Sequence, residues 1–232
     1  MSDRTKKLFG IGCIGILISL IFMMLTKMVD VQAIGPEGSS VGSARLNGAV
    51  RDLIGHHSFW ETLTDLLGYL AILICCFFGL IGLLQLIRER SLTRVDPRIL
   101  LLGIFYIAVI LIYVIFEIFP VNYRPILEDG KLEASFPSSH TMLTLCVMLS
   151  AVPVLKRIMK IETVTATASL ALPVLAGLAV IGRLLSGVHW LTDIVGGILI
   201  SAALLCFFYG GLEIADRLVR RHRKGRKHEQ RK

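Results

Sequence analysis

The sequence predicts an all-α polytopic membrane protein with six transmembrane helices. Hydrophobic residues make up 54% of the 232 residues, and the mean hydropathy is +0.72, more than a water-soluble domain needs to fill one core. The apolar residues also gather in uninterrupted runs, most of which reach the roughly 20 residues that cross a bilayer as a helix. The six runs cover residues 8–28, 66–87, 99–119, 139–155, 163–182 and 191–214.

Two of the six runs differ from an ordinary membrane span. The first follows Arg4, Lys6 and Lys7 and so resembles a secretory signal peptide. Its apolar stretch is longer than the about 7–15 residues of a signal, and we expect an uncleaved anchor. The fourth, residues 139–155, is the shortest. We expect protein or water, rather than lipid, to cover its start.

The formal net charge of +8 is concentrated in segments that share one side of the membrane if the six helices alternate. By the positive-inside rule that side, with both termini, is cytoplasmic. Loops 29–65, 120–138 and 183–190 then face outward. We expect a membrane domain over residues 1–216 and a basic tail over 217–232, which contacts anionic lipid rather than nucleic acid. The clustered basic residues are Arg4, Lys6, Lys7, Arg88, Arg90, Arg94, Arg98, Lys156, Arg157, Lys160, Arg217, Arg220, Arg221, Arg223, Lys224, Arg226, Lys227, Arg231 and Lys232.

The longest outward segment, residues 35–57, is rich in glycine and serine at its start and has a different residue pattern from residue 44 onward. Apolar and polar residues recur at near-helical spacing through 44–47 and 51–54. This pattern predicts a short helix lying over the outer face.

Reactive side chains are clustered in the other two outward segments. His189 and Asp193 are four residues apart, so on a helix both point the same way and the carboxylate can hydrogen-bond the imidazole. Such a bond fixes the tautomer and leaves the other ring nitrogen free to act as a nucleophile. The spacing therefore predicts an activated histidine at the outer face.

An anion-binding site is predicted beside this histidine. The run Pro137-Ser138-Ser139-His140 is typical of a helix start, with a serine as N-cap. Helix N-termini bind phosphate. Arginine, the residue type of Arg124 and Arg183, forms bidentate hydrogen bonds to phosphate oxygens. Metal binding is the alternative, since two histidines and one aspartate resemble a facial triad. Two guanidinium groups would repel a divalent cation, so we expect neither a metal nor another cofactor.

These residues resemble the motifs of the type-2 phosphatidic acid phosphatase superfamily, which are integral-membrane lipid phosphate phosphatases with six membrane helices. The second family motif matches Pro137-Ser138-Ser139-His140, and the third matches Gly182-Arg183, His189 and Asp193 at the family spacing. The resemblance covers about the C-terminal half of the chain. It implies a metal-independent phosphatase.

The resemblance also implies the roles of the individual side chains. His189 is the nucleophile that forms a phosphohistidine, and Asp193 orients it. His140 acts as general acid and then as general base. The phosphoryl oxygens are held by a set of hydrogen-bond donors, which comprises Arg124, Arg183, Ser138 and the backbone amides near Ser139.

The sequence departs from the family pattern at three positions. Ser139 replaces a glycine and Gly182 replaces a serine. Glu117 stands seven residues before Arg124, where the family has a lysine. Glu117 is either a partner for Arg124 or Arg183, an acceptor for part of the substrate, or a carboxylate that reaches interfacial water. Cations that could replace the missing lysine are Arg45, Arg51 and Lys131.

The expected function is hydrolysis of a lipid phosphate or diphosphate at the extracytoplasmic face. For a bacterial chain the first choice of substrate is undecaprenyl diphosphate, followed by phosphatidylglycerol phosphate and phosphatidate. Three alternatives stay open: a lipid-to-lipid phosphotransferase, a catalytically impaired lipid-binding scaffold, and a transporter or flippase. The sequence leaves the oligomeric state open, a homo-oligomer included.

Overall fold

A computed structural model describes residues 1–229, with side chains as far as Arg220, so the side chains of most of the predicted basic tail lie outside the described part of the chain. In this range the chain forms seven α-helices and two short 3-10 helices. The α-helices are α1 (Asp3–Met28), α2 (Ala44–Ile54), α3 (Ser58–Glu89), α4 (Pro97–Ile118), α5 (Ser139–Ile158), α6 (Glu162–Ser186) and α7 (Leu191–Glu229). The 3-10 helices are Pro36–Gly38 and Leu92–Arg94.

Six of these helices, all but α2, are long and apolar enough to cross a membrane. The prediction of six membrane helices is therefore confirmed. The predicted loop boundaries were wrong in two places, because α3 already begins at Ser58 and α6 continues to Ser186. Polar residues extend these helices beyond their apolar cores, which a search for apolar runs does not detect. The division of the chain after residue 216 stays a prediction.

Helices α5 and α7 form the centre of the bundle. In their most apolar 18-residue windows 56% and 61% of residues are buried by protein, against 11% in α1, α3 and α6. Thr141, Met142 and Thr144 in the first turns of α5 are all buried. Protein therefore covers the start of this helix, as its short apolar run predicted.

Helix α1 packs along α7 through small residues. A Cβ atom at Gly12 would lie 2.9 Å from the Phe207 ring, and one at Gly15 would lie 2.9 Å from the Ala203 Cβ. Such close approach of backbones is a common means of helix association in lipid. It holds the N-terminal helix against the central helix of the bundle.

Helix α2 confirms the short helix predicted between the first two spans. Its buried Asn47 donates to the Thr192 hydroxyl at 2.9 Å and accepts from the Thr192 amide at 3.2 Å. The guanidinium of Arg51 lies 5.5 Å from the ring centroid of Trp190. These contacts join α2 to the start of α7, so it lies beside the segment that carries His189.

Candidate active site

The start of α5 is capped as predicted. Ser138 is the N-cap, and its hydroxyl accepts a hydrogen bond from the Thr141 amide at 3.4 Å. The Ser138 amide donates to the Asp193 carbonyl at 3.0 Å. The first turn of α5 is thereby fastened to the first turn of α7, and His140 is the second residue of α5.

His189 does not bond Asp193 directly, and this corrects the prediction from their spacing. His189 lies before α7, which begins at Leu191, so the two residues do not share a helix face. The distance from His189 Nδ1 to Asp193 Oδ2 is 3.8 Å. The Ser135 hydroxyl lies between them, 3.0 Å from Nδ1 and 2.5 Å from Oδ2. Asp193 therefore acts on His189 through Ser135.

The Asp193 carboxylate is itself fixed by backbone and side-chain donors. It accepts from the Trp190 amide at 2.9 Å and from Asn122 Nδ2 at 3.5 Å. It is fully buried. Because several donors hold it from different directions, it can orient the Ser135 hydroxyl rather than rotate with it.

His140 and Arg183 are joined by a carboxylate that the sequence did not single out. Asp65 Oδ1 lies 3.2 Å from His140 Nε2 and accepts from Arg183 Nη1 at 2.9 Å. Arg183 also donates to the Thr64 hydroxyl at 3.2 Å. A Cβ at Gly68 would lie 3.0 Å from the His140 ring. The first turns of α3 thus position both predicted site residues.

Arg124 lies in the connection between α4 and α5, and glutamates surround its guanidinium. Glu128 forms an ion pair with it, and Glu133 Oε2 lies 3.6 Å from its Nε. The Arg124 amide donates to the Glu133 carbonyl at 3.0 Å. Isolated antiparallel bridges, Tyr123 with Ala134 and Glu128 with Lys131, shape this segment as a hairpin. We call residues 123–134 the acidic hairpin.

A cavity of about 30 Å³ brings several predicted residues together. His189, Arg124, Ser139 and Glu117 all line it. Glu117 forms no ion pair with either arginine in the described part of the chain, which contradicts one of its three alternative roles, that of their partner, and leaves the other two open. Arg124 instead pairs with the glutamates of the acidic hairpin, and Arg183 pairs with Asp65 of α3.

The three cations proposed to replace the family lysine are absent from the lining of this cavity. Arg45 lies 3.8 Å from Asp30, Arg51 stacks on Trp190, and Lys131 is exposed on the acidic hairpin. None of the three therefore lies at this cavity as a replacement for the family lysine.

The electrostatics of the site favour the neutral form of His189. Burial lowers the pKa of His189 well below its ordinary value of 6.5, and the guanidinium groups of Arg183 and Arg124 lower it further. With Nδ1 donating to Ser135, Nε2 carries the free lone pair. His189 Nε2, His140 Nδ1 and Arg183 Nε are all buried and have no hydrogen-bond partner among residues 1–220.

Sequence reasoning missed the residues that support the catalytic ones. Ser135 lies only two residues before Pro137, in the segment already singled out, and its hydroxyl was a detectable signal. Asp65 could have been noticed as a carboxylate at the outer end of an apolar run. Glu128 and Glu133 could not, because only the fold of the acidic hairpin brings them to Arg124.

Six membrane helices with a buried histidine, two guanidinium groups and a capped helix start at one end are the arrangement expected of an integral-membrane phosphatase. Residues 105–214 match the model of the PAP2 superfamily. The resemblance found in the sequence is therefore confirmed for residues 105–214, which make up a little under half of the chain. No curated protein matches the chain.

A solved structure supports the fold. The chain is similar to a transmembrane PAP2 type phosphatidylglycerolphosphate phosphatase from Bacillus subtilis, with a TM-score of 0.57 and 22% sequence identity. The match covers 86% of this chain and 93% of that one. At this identity the likeness concerns the arrangement of helices, not the substrate.

Proposed function

We propose that this protein hydrolyses a phosphate or diphosphate monoester of a membrane lipid at the site formed by His189, His140 and Asp193. The observation that carries the proposal is the set of buried nitrogen atoms, His189 Nε2, His140 Nδ1 and Arg183 Nε, without hydrogen-bond partners. Leaving such groups unsatisfied is costly. A phosphoryl group offers several oxygen acceptors and an electrophilic phosphorus to this set.

In the proposed reaction His189 Nε2 attacks phosphorus, and the bond from phosphorus to the lipid-side oxygen breaks. His140 donates a proton to that leaving oxygen. Water then attacks the phosphohistidine, His140 takes a proton from the water, and the bond to Nε2 breaks to release inorganic phosphate. The Ser135 hydroxyl and Asp193 keep the His189 proton on Nδ1 throughout.

The phosphoryl oxygens require donors as negative charge shifts in the transition state. Arg124 and Arg183 supply guanidinium groups, and Ser138 with the amides near Ser139 supplies the positive end of α5. The acidic hairpin must release Arg124 for this to occur, because Glu128 and Glu133 form ion pairs with its guanidinium group in the structure. No step of this scheme needs a metal ion.

Undecaprenyl diphosphate is our first choice of substrate for a bacterial chain. Phosphatidylglycerol phosphate comes next, since the structurally similar Bacillus subtilis protein is named for that substrate, and phosphatidate follows. We place the site at the extracytoplasmic face of the cell membrane and both termini in the cytoplasm. The distribution of basic residues supports this orientation.

Phosphate release from a panel of these lipids, by detergent-purified protein with and without a chelator, tests the proposal. We expect one lipid to be hydrolysed at a rate that the chelator does not change. Labelled phosphate should become trapped on His189 during turnover. Phosphate that appears on a second lipid instead of in water would identify a phosphotransferase, and absence of both labelling and release would identify a scaffold.

A further inference from the structure

A groove opens between α3 and α4 on the half of the bundle away from the candidate active site. Its volume is about 450 Å³, within the about 300–1,000 Å³ of sites that hold small molecules. Gly79 of α3 and Gly103 of α4 both line it, and a Cβ at either would meet no atom within 4 Å. The two helices are consecutive in the chain, yet protein side chains do not fill the space between them.

The groove has the length of one lipid chain. Along α3 its lining runs from Cys75 to Leu86, which is about 16 Å at the helical rise. One leaflet contributes about 15 Å of hydrocarbon to a bilayer of about 30 Å. Cys75 itself is about 15 Å along the helix from Asp65. The groove therefore matches the depth of the leaflet opposite the candidate active site.

Positive charge surrounds the end of the groove at the membrane surface. Arg88, Arg90 and Arg94 are exposed in the connection between α3 and α4, next to Leu92 and other lining residues. Arg88 contacts only the neighbouring Glu89, at 3.8 Å. Neither Arg90 nor Arg94 forms an ion pair with any residue whose side chain is described. These guanidinium groups lie where the headgroup of a lipid in the groove would be.

We propose that the groove between α3 and α4 binds one acyl chain of an anionic phospholipid, whose headgroup contacts Arg88, Arg90 and Arg94. The lipid belongs to the leaflet that contains the chain termini. It is distinct from the substrate, whose phosphate lies at the opposite end of α3. This site does not depend on the phosphatase activity, because neither the groove nor the three arginines contact the catalytic residues.

Thermal unfolding of delipidated protein, titrated with phosphatidylglycerol or phosphatidylcholine, tests the site. We expect phosphatidylglycerol to raise the Tm by about 5 °C and phosphatidylcholine to have little effect. One variant fills the groove with Gly79→Leu and Gly103→Leu, and a second removes the charge with Arg88→Gln, Arg90→Gln and Arg94→Gln. Both should lose the response. Native mass spectrometry should show the retained lipid disappear in parallel.

Matched controls separate a specific site from general effects. Gly10→Leu adds the same side chain to the exposed face of α1. Lys7→Gln, Lys156→Gln and Lys160→Gln together remove three exposed charges at the same end of the bundle. Both controls should respond to phosphatidylglycerol as the unaltered protein does. The measurement is of unfolding, so its outcome is independent of whether the protein hydrolyses any lipid.

Three results would overturn the proposal. The first is an equal rise in Tm with the two phospholipids. The second is a Tm rise with phosphatidylglycerol that is unchanged in both the leucine variant and the glutamine variant. The third concerns a different occupant, the hydrocarbon tail of the substrate. If the groove held that tail, the leucine variant would raise the KM for a long-chain lipid phosphate while the Tm response to phosphatidylglycerol stayed intact.

Discussion

The two ends of the helix bundle both contain charged clusters, but only one of them is fully paired. At the end with the termini, Asp216 accepts from Arg98 Nε at 2.6 Å and from Arg157 Nε at 2.7 Å. At the opposite end Asp65 contacts Arg183 and His140. There, one nitrogen of each partner remains buried without a hydrogen bond.

This difference separates a structural cluster from a functional one. The carboxylate of Asp216 joins α7 to α4 and α5, and both of its oxygens are used. A partly buried ion-pair cluster of this kind holds the three helices together, and none of its described side-chain atoms is buried without a hydrogen-bond partner. At the opposite end, His140, Arg183 and His189 each keep one buried nitrogen atom that has no hydrogen-bond partner among the described residues. Such atoms indicate that another molecule binds there. Five substitutions can break or sharpen this contrast.

Replacing His189 with alanine should have the largest effect. The proposed nucleophile is removed, and we expect phosphate release to fall by at least about 10⁴-fold. The purified variant should still insert and unfold near the temperature of the unaltered protein. Undiminished release by this variant would refute the assignment of the nucleophile.

Replacing Asp216 with asparagine should destabilise the protein and leave the chemistry intact. The partly buried Arg98 and the more exposed Arg157 lose their common partner, which costs about 1–3 kcal/mol. Thermal inactivation should be faster, whereas kcat per folded molecule should not change. Asp3→Asn is the control, since Asp3 is exposed and its contact with Lys6 is 4.0 Å long. A loss of kcat in folded Asp216→Asn protein would show that the two clusters are coupled.

Replacing Ser135 with alanine should lower kcat by about 10–100-fold, the usual cost of removing a residue that orients a ligand. The change cuts the link between His189 and Asp193, while the KM should change little because Ser135 need not touch the lipid. Ser135→Thr keeps the hydroxyl and should recover most of the kcat. Equal kcat in the alanine and threonine variants would exclude the orienting role.

The buried neutral His189 should make stability depend on pH. Its pKa is lowered in the folded state, so as the pH falls below about 6.5 the unfolded chain binds a proton that the folded protein does not. This linkage removes up to about 1.4 kcal/mol of stability per pH unit. His189→Asn lacks this contribution. Between pH 7.5 and 5.5 the free energy of unfolding should therefore fall more for the unaltered protein than for the variant, as measured by denaturant titration. Parallel pH dependences of the two proteins would contradict the lowered pKa of His189.

Replacing Glu117 with lysine restores the residue of the family motif and should have the smallest effect. The new cation would lie at the cavity that already contains Arg124, and the glutamates of the acidic hairpin would pair with it. We expect kcat/KM to stay the same or fall. Glu117→Gln, measured beside it, separates loss of the carboxylate from gain of the amine. A clear gain in turnover by the lysine variant would show that the site lacks a cation.

Local patterns in the sequence predicted what depends on local physics. Apolar runs identified all six membrane helices, and the Pro-Ser-Ser-His run identified the cap at Ser138. Sequence spacing did not predict contacts that depend on the tertiary structure. His189 and Asp193 are four residues apart, yet α7 begins between them, and the hydroxyl that joins them comes from another segment. Asp65 is recognisable in the sequence as a carboxylate at the end of an apolar run, but it is distant in sequence from His140 and Arg183, so only the packing of α3 against α5 and α6 shows that it contacts them.

The pairing of Arg124 with its own hairpin also sets how the enzyme should respond to its product. Glu128 and Glu133 are tethered next to the guanidinium, so they compete for it at a high effective concentration. A lipid phosphate arrives anchored in the bilayer and can displace them, whereas free inorganic phosphate has no such anchorage. The acidic hairpin should therefore expel phosphate once the ester bond is broken, and product inhibition should be weak even when phosphate accumulates.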